Sequence, residues 1–178
     1  MNWLLALKRI NINIPLLIFS LDTESEEFLN KNGVDTERVP GVNNISQLWV
    51  RRVEIFKDLL DSGLNIIHSD LDALWLRNPM HYFENGNYDF LFSQGTTHPQ
   101  EIFKKREFVL TCGFFGIRSN PKTIQVLDKI RKDVQLTKDD QTSFNRILLD
   151  NHLKINKKWN MSYFLESGGK SLRPRLGR

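Results

Sequence analysis

Apolar residues recur along this chain with two periods, and the alternation between them lays out its elements. Trp3, Leu4, Leu7 and Ile10 share one face of a helix over residues 2–10. Pro15 to Leu21 is instead a continuous apolar run, the pattern of a strand buried in a parallel sheet. Asp22-Thr23-Glu24 opens a second helix, with acids where the helix dipole favours them, and Asn32-Gly33 ends it. After a looser stretch around Arg38-Val39-Pro40-Gly41, the residues Ile45, Leu48, Trp49, Val53, Phe56, Leu59 and Leu60 trace one face of a longer helix, with Ser46 as its N-cap. Arg51, Arg52, Lys57 and Asp58 fall on its other faces.

Ser62-Gly63 is a turn signal, and Leu64, Ile66 and Ile67 then begin a strand that runs into Asp70 and Asp72. A turn at Asn85-Gly86-Asn87 precedes a strand over residues 88–92. Residues 94–107 are polar and read as a long loop beside the central strands. Phe108 to Ile117 is a further strand, and Asn120-Pro121 starts a helix with Ile124, Leu127, Ile130 and Val134 as its buried stripe. Lys138 to Leu149 is another helix, and weaker apolar patterns over 153–156 and 161–165 read as strands. Helices alternating with strands predict an α/β domain with right-handed crossovers and no second domain.

Chemistry enters at Asp70 and Asp72. If the extended backbone continues through them, period-two alternation places both carboxylates on one side and turns Leu71 toward the core. Two anions that close repel each other, so in an apolar setting one would stay protonated. A divalent cation removes the conflict, and hard ions such as Mn²⁺ or Mg²⁺ take carboxylate oxygens while leaving positions for phosphate. An Asp-x-Asp triplet also commonly marks a solvated turn, but here it is flanked by an apolar strand and by Ala73-Leu74-Trp75-Leu76. Ligands bind α/β sheets at the carboxyl ends of strands, and Gly113 belongs to a second strand that could line the same crevice.

The run from Gly63 through Asp70-Leu71-Asp72-Ala73-Leu74-Trp75-Leu76-Arg77-Asn78-Pro79 resembles the signature of nucleotide-diphospho-sugar transferases, in particular the family 77 glycosyltransferases of the GT-A fold. Cys112-Gly113-Phe114-Phe115-Gly116-Ile117-Arg118-Ser119-Asn120 is similar to their Gly-aromatic-aromatic strand, and Asp139-Asp140-Gln141-Thr142-Ser143-Phe144-Asn145 to their Asp-Gln helix start. The ordered match covers roughly residues 1–150. It implies a GT-A, Rossmann-like, mostly parallel sheet flanked by helices, lacking the family's first strand and its C-terminal part.

The resemblance further implies a retaining, metal-dependent transfer of a sugar from a UDP-sugar to a glycan, protein or small-molecule acceptor. Asp70 and Asp72 would hold Mn²⁺ or Mg²⁺ and, with Arg52 and Gly113, the donor. Asp140 and Gln141 would lie beside the anomeric carbon and the sugar hydroxyls. Each has a plainer reading: a solvated helix charge for Arg52, a strand kink for Gly113 and helix capping for Asp139 or Asp140. His68 is read as a packed histidine rather than a third metal ligand, and His81, His98 and His152 show no metal spacing. The family's Gly-rich segment with a metal-binding His has only a faint echo in Ser167-Gly168-Gly169-Lys170. A second reading is therefore a truncated or degenerate domain that binds a partner without catalysis.

Composition narrows the classes. The 178 residues suit one domain, read as residues 1–165 with a basic, disordered tail over 166–178. The hydrophobic share of 40% and charged share of 26% are those of a globular domain. No apolar run approaches the ~20 residues of a membrane span, and the start is too short and too soon polar for a secretory leader. The net charge of +4 is modest, and no nucleic-acid-binding motif accompanies the basic tail. Cys112, the single cysteine, excludes an internal disulfide and reads as a core residue. Asn44-Ile45-Ser46 and Asn160-Met161-Ser162 are glycosylation triplets compatible with a Golgi-lumen enzyme; a cytoplasmic one is the other expectation.

Overall fold

A computed structural model describes residues 2–12, 14–84, 88–95 and 97–151, with the side chains of residues 150 and 151 left out. The elements are α1 (Asn2–Arg9), β1 (Ile18–Ser20), α2 (Thr23–Lys31), β2 (Thr36–Arg38), α3 (Ile45–Asp61), β3 (Ile66–Ser69), α4 (Met80–Glu84), β4 (Phe90–Gln94), α5 (Gln100–Arg106), β5 (Leu110–Ile117), α6 (Pro121–Thr137) and α7 (Asp140–Asn151). The strands read at 153–156 and 161–165, the turn at 85–87, His152, the Ser167-to-Lys170 echo, the second glycosylation triplet and the basic tail lie outside the described residues.

The α/β class is as the sequence reads it, and β1 pairs with β2 in parallel, Ile18 opposite Thr36. The larger sheet, in the order β3-β5-β4, is antiparallel in both pairings. The reason lies in β5. Strands β3 and β4 run in one direction, and β5 enters between them in the opposite sense, with Ile66 and Phe90 both opposite Ile117. Parallel pairing among the described residues is thus confined to β1 and β2.

Local signals explain most boundaries. Asn44, not Ser46, caps α3, its side-chain oxygen accepting the N–H of Gln47 at 3.0 Å. Asn120 caps α6 in a capping box with Thr123, and Pro121 fills the first turn. The segment read as a loop over 94–107 contains α5, which buries Ile102, ends in Lys104, Lys105 and Arg106, and stops at Glu107 in left-handed backbone. The apolar run at 15–21 yields only a short strand, and Leu16, Leu17 and Leu21 are exposed.

The main core lies between the larger sheet and helices α3, α6 and α7, and gathers Val53, Phe56, Leu60, Leu127, Ile130, Val134 and Phe144 around Phe115. The Phe115 ring stacks on Phe92 at 4.9 Å and meets Phe56 edge-on at 5.3 Å. Its neighbour Phe114 points to the opposite face, as successive strand residues do, and packs against Trp75 and Phe83. There α1 closes a smaller cluster through Trp3 and Leu7. With β5 filled on both sides, the open ends of β3 and β4 are where a cavity forms.

Candidate functional site

Strand β3 ends at Ser69, and the chain turns at once: the N–H of Ala73 donates to the Asp70 carbonyl at 3.1 Å and that of Leu74 to the Asp72 carbonyl at 3.0 Å. The extended continuation expected from the spacing is absent, and Leu71 is 66% exposed rather than turned toward the core. A turn, not period-two alternation, brings both acids to one cavity. The turn is held from behind. The Ser69 hydroxyl accepts the indole N–H of Trp3 and of Trp75, each at 3.0 Å, and donates to the Asp70 carbonyl at 3.1 Å. The buried Trp3 and Trp75 rings thus anchor the acid turn to the smaller core.

The cavity has a volume of about 520 Å³. Its wall includes Asp70 and Asp72 from the turn, Trp49 and Arg52 from α3, Ser93 from β4, and Thr111, Cys112, Gly113 and Phe114 from β5. His98, Asp139, Asp140 and Gln141 complete it. All six residues expected to form the site, Arg52, Asp70, Asp72, Gly113, Asp140 and Gln141, border this one space. Trp49, His98 and Asp139 border it as well, without having been singled out for the site by the sequence. Only the family's short motifs point at Asp139, and neither Trp49 nor His98 has a local signal.

Arg52 is the electrostatic hub. Its Nη1 donates to Asp70 Oδ1 at 2.9 Å and its Nε to Asp140 Oδ2 at 2.7 Å, with Nη2 also paired to that oxygen. Its guanidinium carbon lies 4.3 Å from the centre of the Trp49 ring. The plain reading of Arg52 as a solvated helix charge does not hold, since its side chain is only 13% exposed. Asp140 is almost fully buried, and burial raises its pKa despite the arginine. Burial pushes Asp70 the same way, but hydrogen bonding from His68 and the charge of Arg52 outweigh it and leave its pKa below the ordinary carboxylate value.

His68 packs at 5.1 Å from both Phe56 and Phe115, and burial lowers its pKa, so it is neutral at pH 7. Its Nε2–H donates to Asp70 Oδ1 at 3.0 Å, which orients the carboxylate. Asp70 Oδ2 makes no hydrogen bond among the described residues, and a Cβ at Gly113 would sit 3.3 Å from it. Asp72 is exposed, with no side-chain hydrogen bond or ion pair among the described residues. This donor set fits a hard divalent cation: two carboxylate oxygens beside a space kept clear by glycine, with room for water and phosphate. No group of three His, Cys, Asp or Glu side chains arranged around one point occurs among the described residues.

Gln141 is committed on both sides of its amide. Its Oε1 accepts the N–H of Cys112 at 3.1 Å, and its Nε2 donates to the His98 carbonyl at 2.7 Å. It bridges β5 to the loop before α5. Asp139 takes the capping role left open for it or Asp140, its Oδ1 accepting the N–H of Thr142 at 2.9 Å. Burial raises its pKa, but that bond and a contact from His98 outweigh it, and Asp139 stays below the ordinary value.

Comparison with known proteins places these residues in a wider group. A family profile described as nucleotide-diphospho-sugar transferase matches residues 13–166. The chain is 27% identical over 145 residues to the beta-arabinofuranosyltransferase RAY1 of Arabidopsis thaliana, covering 74% of this chain and 27% of that protein. It is 24% identical over 170 residues to the arabinosyltransferase RRA1 of the same plant, covering 80% and 42%. With a UDP-galactose:fucoside alpha-3-galactosyltransferase of Dictyostelium discoideum it shares 26% identity over 102 residues, 57% of this chain and 16% of that one. The chain therefore spans less than half the length of these relatives. No solved structure matches.

Proposed function

Because the chain belongs to the nucleotide-diphospho-sugar transferase family, we propose that it transfers a glycosyl group from a UDP-sugar to a hydroxyl-bearing acceptor, with retention of anomeric configuration. One observation carries this reading. Six residues drawn from α3, the acid turn, β5 and the start of α7 border a single cavity at the carboxyl ends of β3 and β4.

Asp70 through Oδ2, together with Asp72, would hold Mn²⁺ or Mg²⁺. Such an ion supplies Lewis acidity toward the departing diphosphate and a template for the donor. The chain's own residues do the rest. His68 and Arg52 occupy Asp70 Oδ1 and aim its other oxygen outward. The Arg52 guanidinium adds fixed positive charge where a leaving phosphate develops its negative charge, and such charge favours the transition state over the ground state. Gly113 keeps side-chain bulk away from the donor. Asp140 acts by holding Arg52 in place, while Gln141 fixes the wall facing the sugar. No second carboxylate stands free as a nucleophile among the bordering residues, so same-face displacement assisted by the leaving phosphate is the step we favour.

The test is calorimetry with UDP and Mn²⁺, followed by a screen of UDP-sugars for Mn²⁺-dependent donor hydrolysis. Measurable UDP affinity that requires Mn²⁺ and vanishes in the Asp70→Ala, Asp72→Ala double variant is expected. No affinity with Mn²⁺ present would sink the reading.

A second reading, a non-catalytic interaction module, draws on Leu71, Leu74 and Leu76, which are 66, 48 and 82% exposed around the acid turn. It predicts self-association or partner capture without turnover, and a monodisperse monomer that hydrolyses a UDP-sugar would refute it. No helix among the described residues is long and apolar enough to cross a membrane.

A further inference from the structure

A second pair of polar side chains lies farther along the cavity wall from the acid turn. Asp139 divides its two oxygens: Oδ1 caps α7 through the N–H of Thr142, and Oδ2 accepts a hydrogen bond from His98 Nε2 at 2.8 Å. The Thr142 hydroxyl stands 3.4 Å from the same nitrogen. Gln141 holds the His98 carbonyl, so this histidine is tied to the first turn of α7 at both ring and backbone. Yet its side chain is 59% exposed. His68 shows what packing alone looks like in this protein, at 17% exposed between two phenylalanines. The restraints on His98 orient a ring that the core does not use.

The orientation has a chemical consequence. A carboxylate can only accept, so Asp139 fixes the proton on Nε2, and in the neutral ring Nδ1 then carries the lone pair. Nδ1 makes no hydrogen bond among the described residues. The wall between the two ends is continuous. Gly113 faces Asp70 Oδ2, and its N–H lies 3.4 Å from the Thr111 hydroxyl. Thr111 in turn reaches Gln141 Oε1 at 3.4 Å, and Gln141 reaches His98. A donor gripped at Asp70 and Asp72 would therefore be separated from His98 by one stretch of polar wall.

We propose that His98, oriented by Asp139, takes a hydrogen bond from a hydroxyl of the acceptor, a sugar or related polyol, and positions it beside the donor. This rests on the glycosyltransferase reading. Nδ1 suits the task because a hydroxyl can donate to it while its own oxygen stays turned toward the reacting carbon. The role is positioning the second substrate, distinct from anything Asp70, Asp72 or Arg52 does.

The experiment uses the full chain with Mn²⁺ and UDP, probed by saturation-transfer NMR against a panel of methyl glycosides, the tightest binder serving as ligand. His98→Phe keeps the ring and deletes both nitrogens. It is expected to weaken the glycoside about tenfold, the loss of one hydrogen bond, while UDP affinity stays within about twofold. His98→Gln, which retains an acceptor, recovers part of the binding. The inference is overturned if His98→Phe binds the glycoside like the wild type, or if UDP affinity falls in step with it, the mark of a merely structural residue. It is also overturned, with the transferase reading left standing, if the wild type binds UDP but no glycoside. Absence of UDP binding by the wild type removes both.

Discussion

Arg52 shows how much can hang on one side chain. It neutralises two carboxylates, one of them almost fully buried, and lies against Trp49. Removing a partner from a buried pair leaves an uncompensated charge, which costs about 3–5 kcal/mol. Arg52→Gln is therefore expected to lower urea stability by an amount of that order at pH 7. The loss should shrink at pH 5, because Asp140, whose pKa burial already raises, then takes up a proton. A loss equal at both pH values would show that Asp140 does not carry the cost. The sequence displays Arg52 as one of several charges off the apolar stripe of α3, and nothing local marks it. Its partner Asp140 lies 88 residues away, and that separation is why the pairing is illegible from spacing.

At the scale of elements, β5 organises the molecule, and its glycines are specific. A Cβ on Gly116 would come within 2.3 Å of the Phe83 ring, so α4 packs against the sheet only because that position is bare. Gly116→Ala is expected to destabilise the protein by about 1–3 kcal/mol, the range for overpacking, measured as a shift in the urea midpoint. Gly113→Ala, with 3.3 Å to Asp70 Oδ2, should cost less in stability. An unchanged midpoint in Gly116→Ala would mean that α4 is not seated as described. Helices with full apolar stripes and caps, α3 and α6, were legible in the pattern. The short α5 was not, because Ile102 and Phe103 are adjacent and set no period over seven residues. The Asp-x-Asp spacing misled in one respect, since a hydrogen-bonded turn replaced the extended backbone.

For the whole molecule, ionisation links the site to stability. Asp70 and Asp139 have folded pKa values below the ordinary one, so the stability they contribute is present above that value and lost as pH falls through the folded values. Asp140 works in the opposite sense: its contribution is present below the ordinary value and lost as pH rises through the raised one. Unfolding followed from pH 7 to pH 3 should show stability falling below about pH 4. Asp70→Asn should flatten that acid limb. A limb unchanged in Asp70→Asn would assign it to other carboxylates.

By itself the sequence determined the α/β class, the stripes and caps of the long helices, the apolar strand that delivers two acids, and a family resemblance carried by three short motifs. These are local properties, written in neighbouring residues through period, turn chemistry and capping. The tertiary structure alone decided that β5 runs antiparallel between β3 and β4, and that Ser69 is gripped by two indoles, one of them 66 residues away. It also decided that Arg52 joins Asp70 to Asp140, and that His98 is brought to Asp139. Such choices depend on which distant surfaces bury each other best, and a one-dimensional pattern holds no record of that competition.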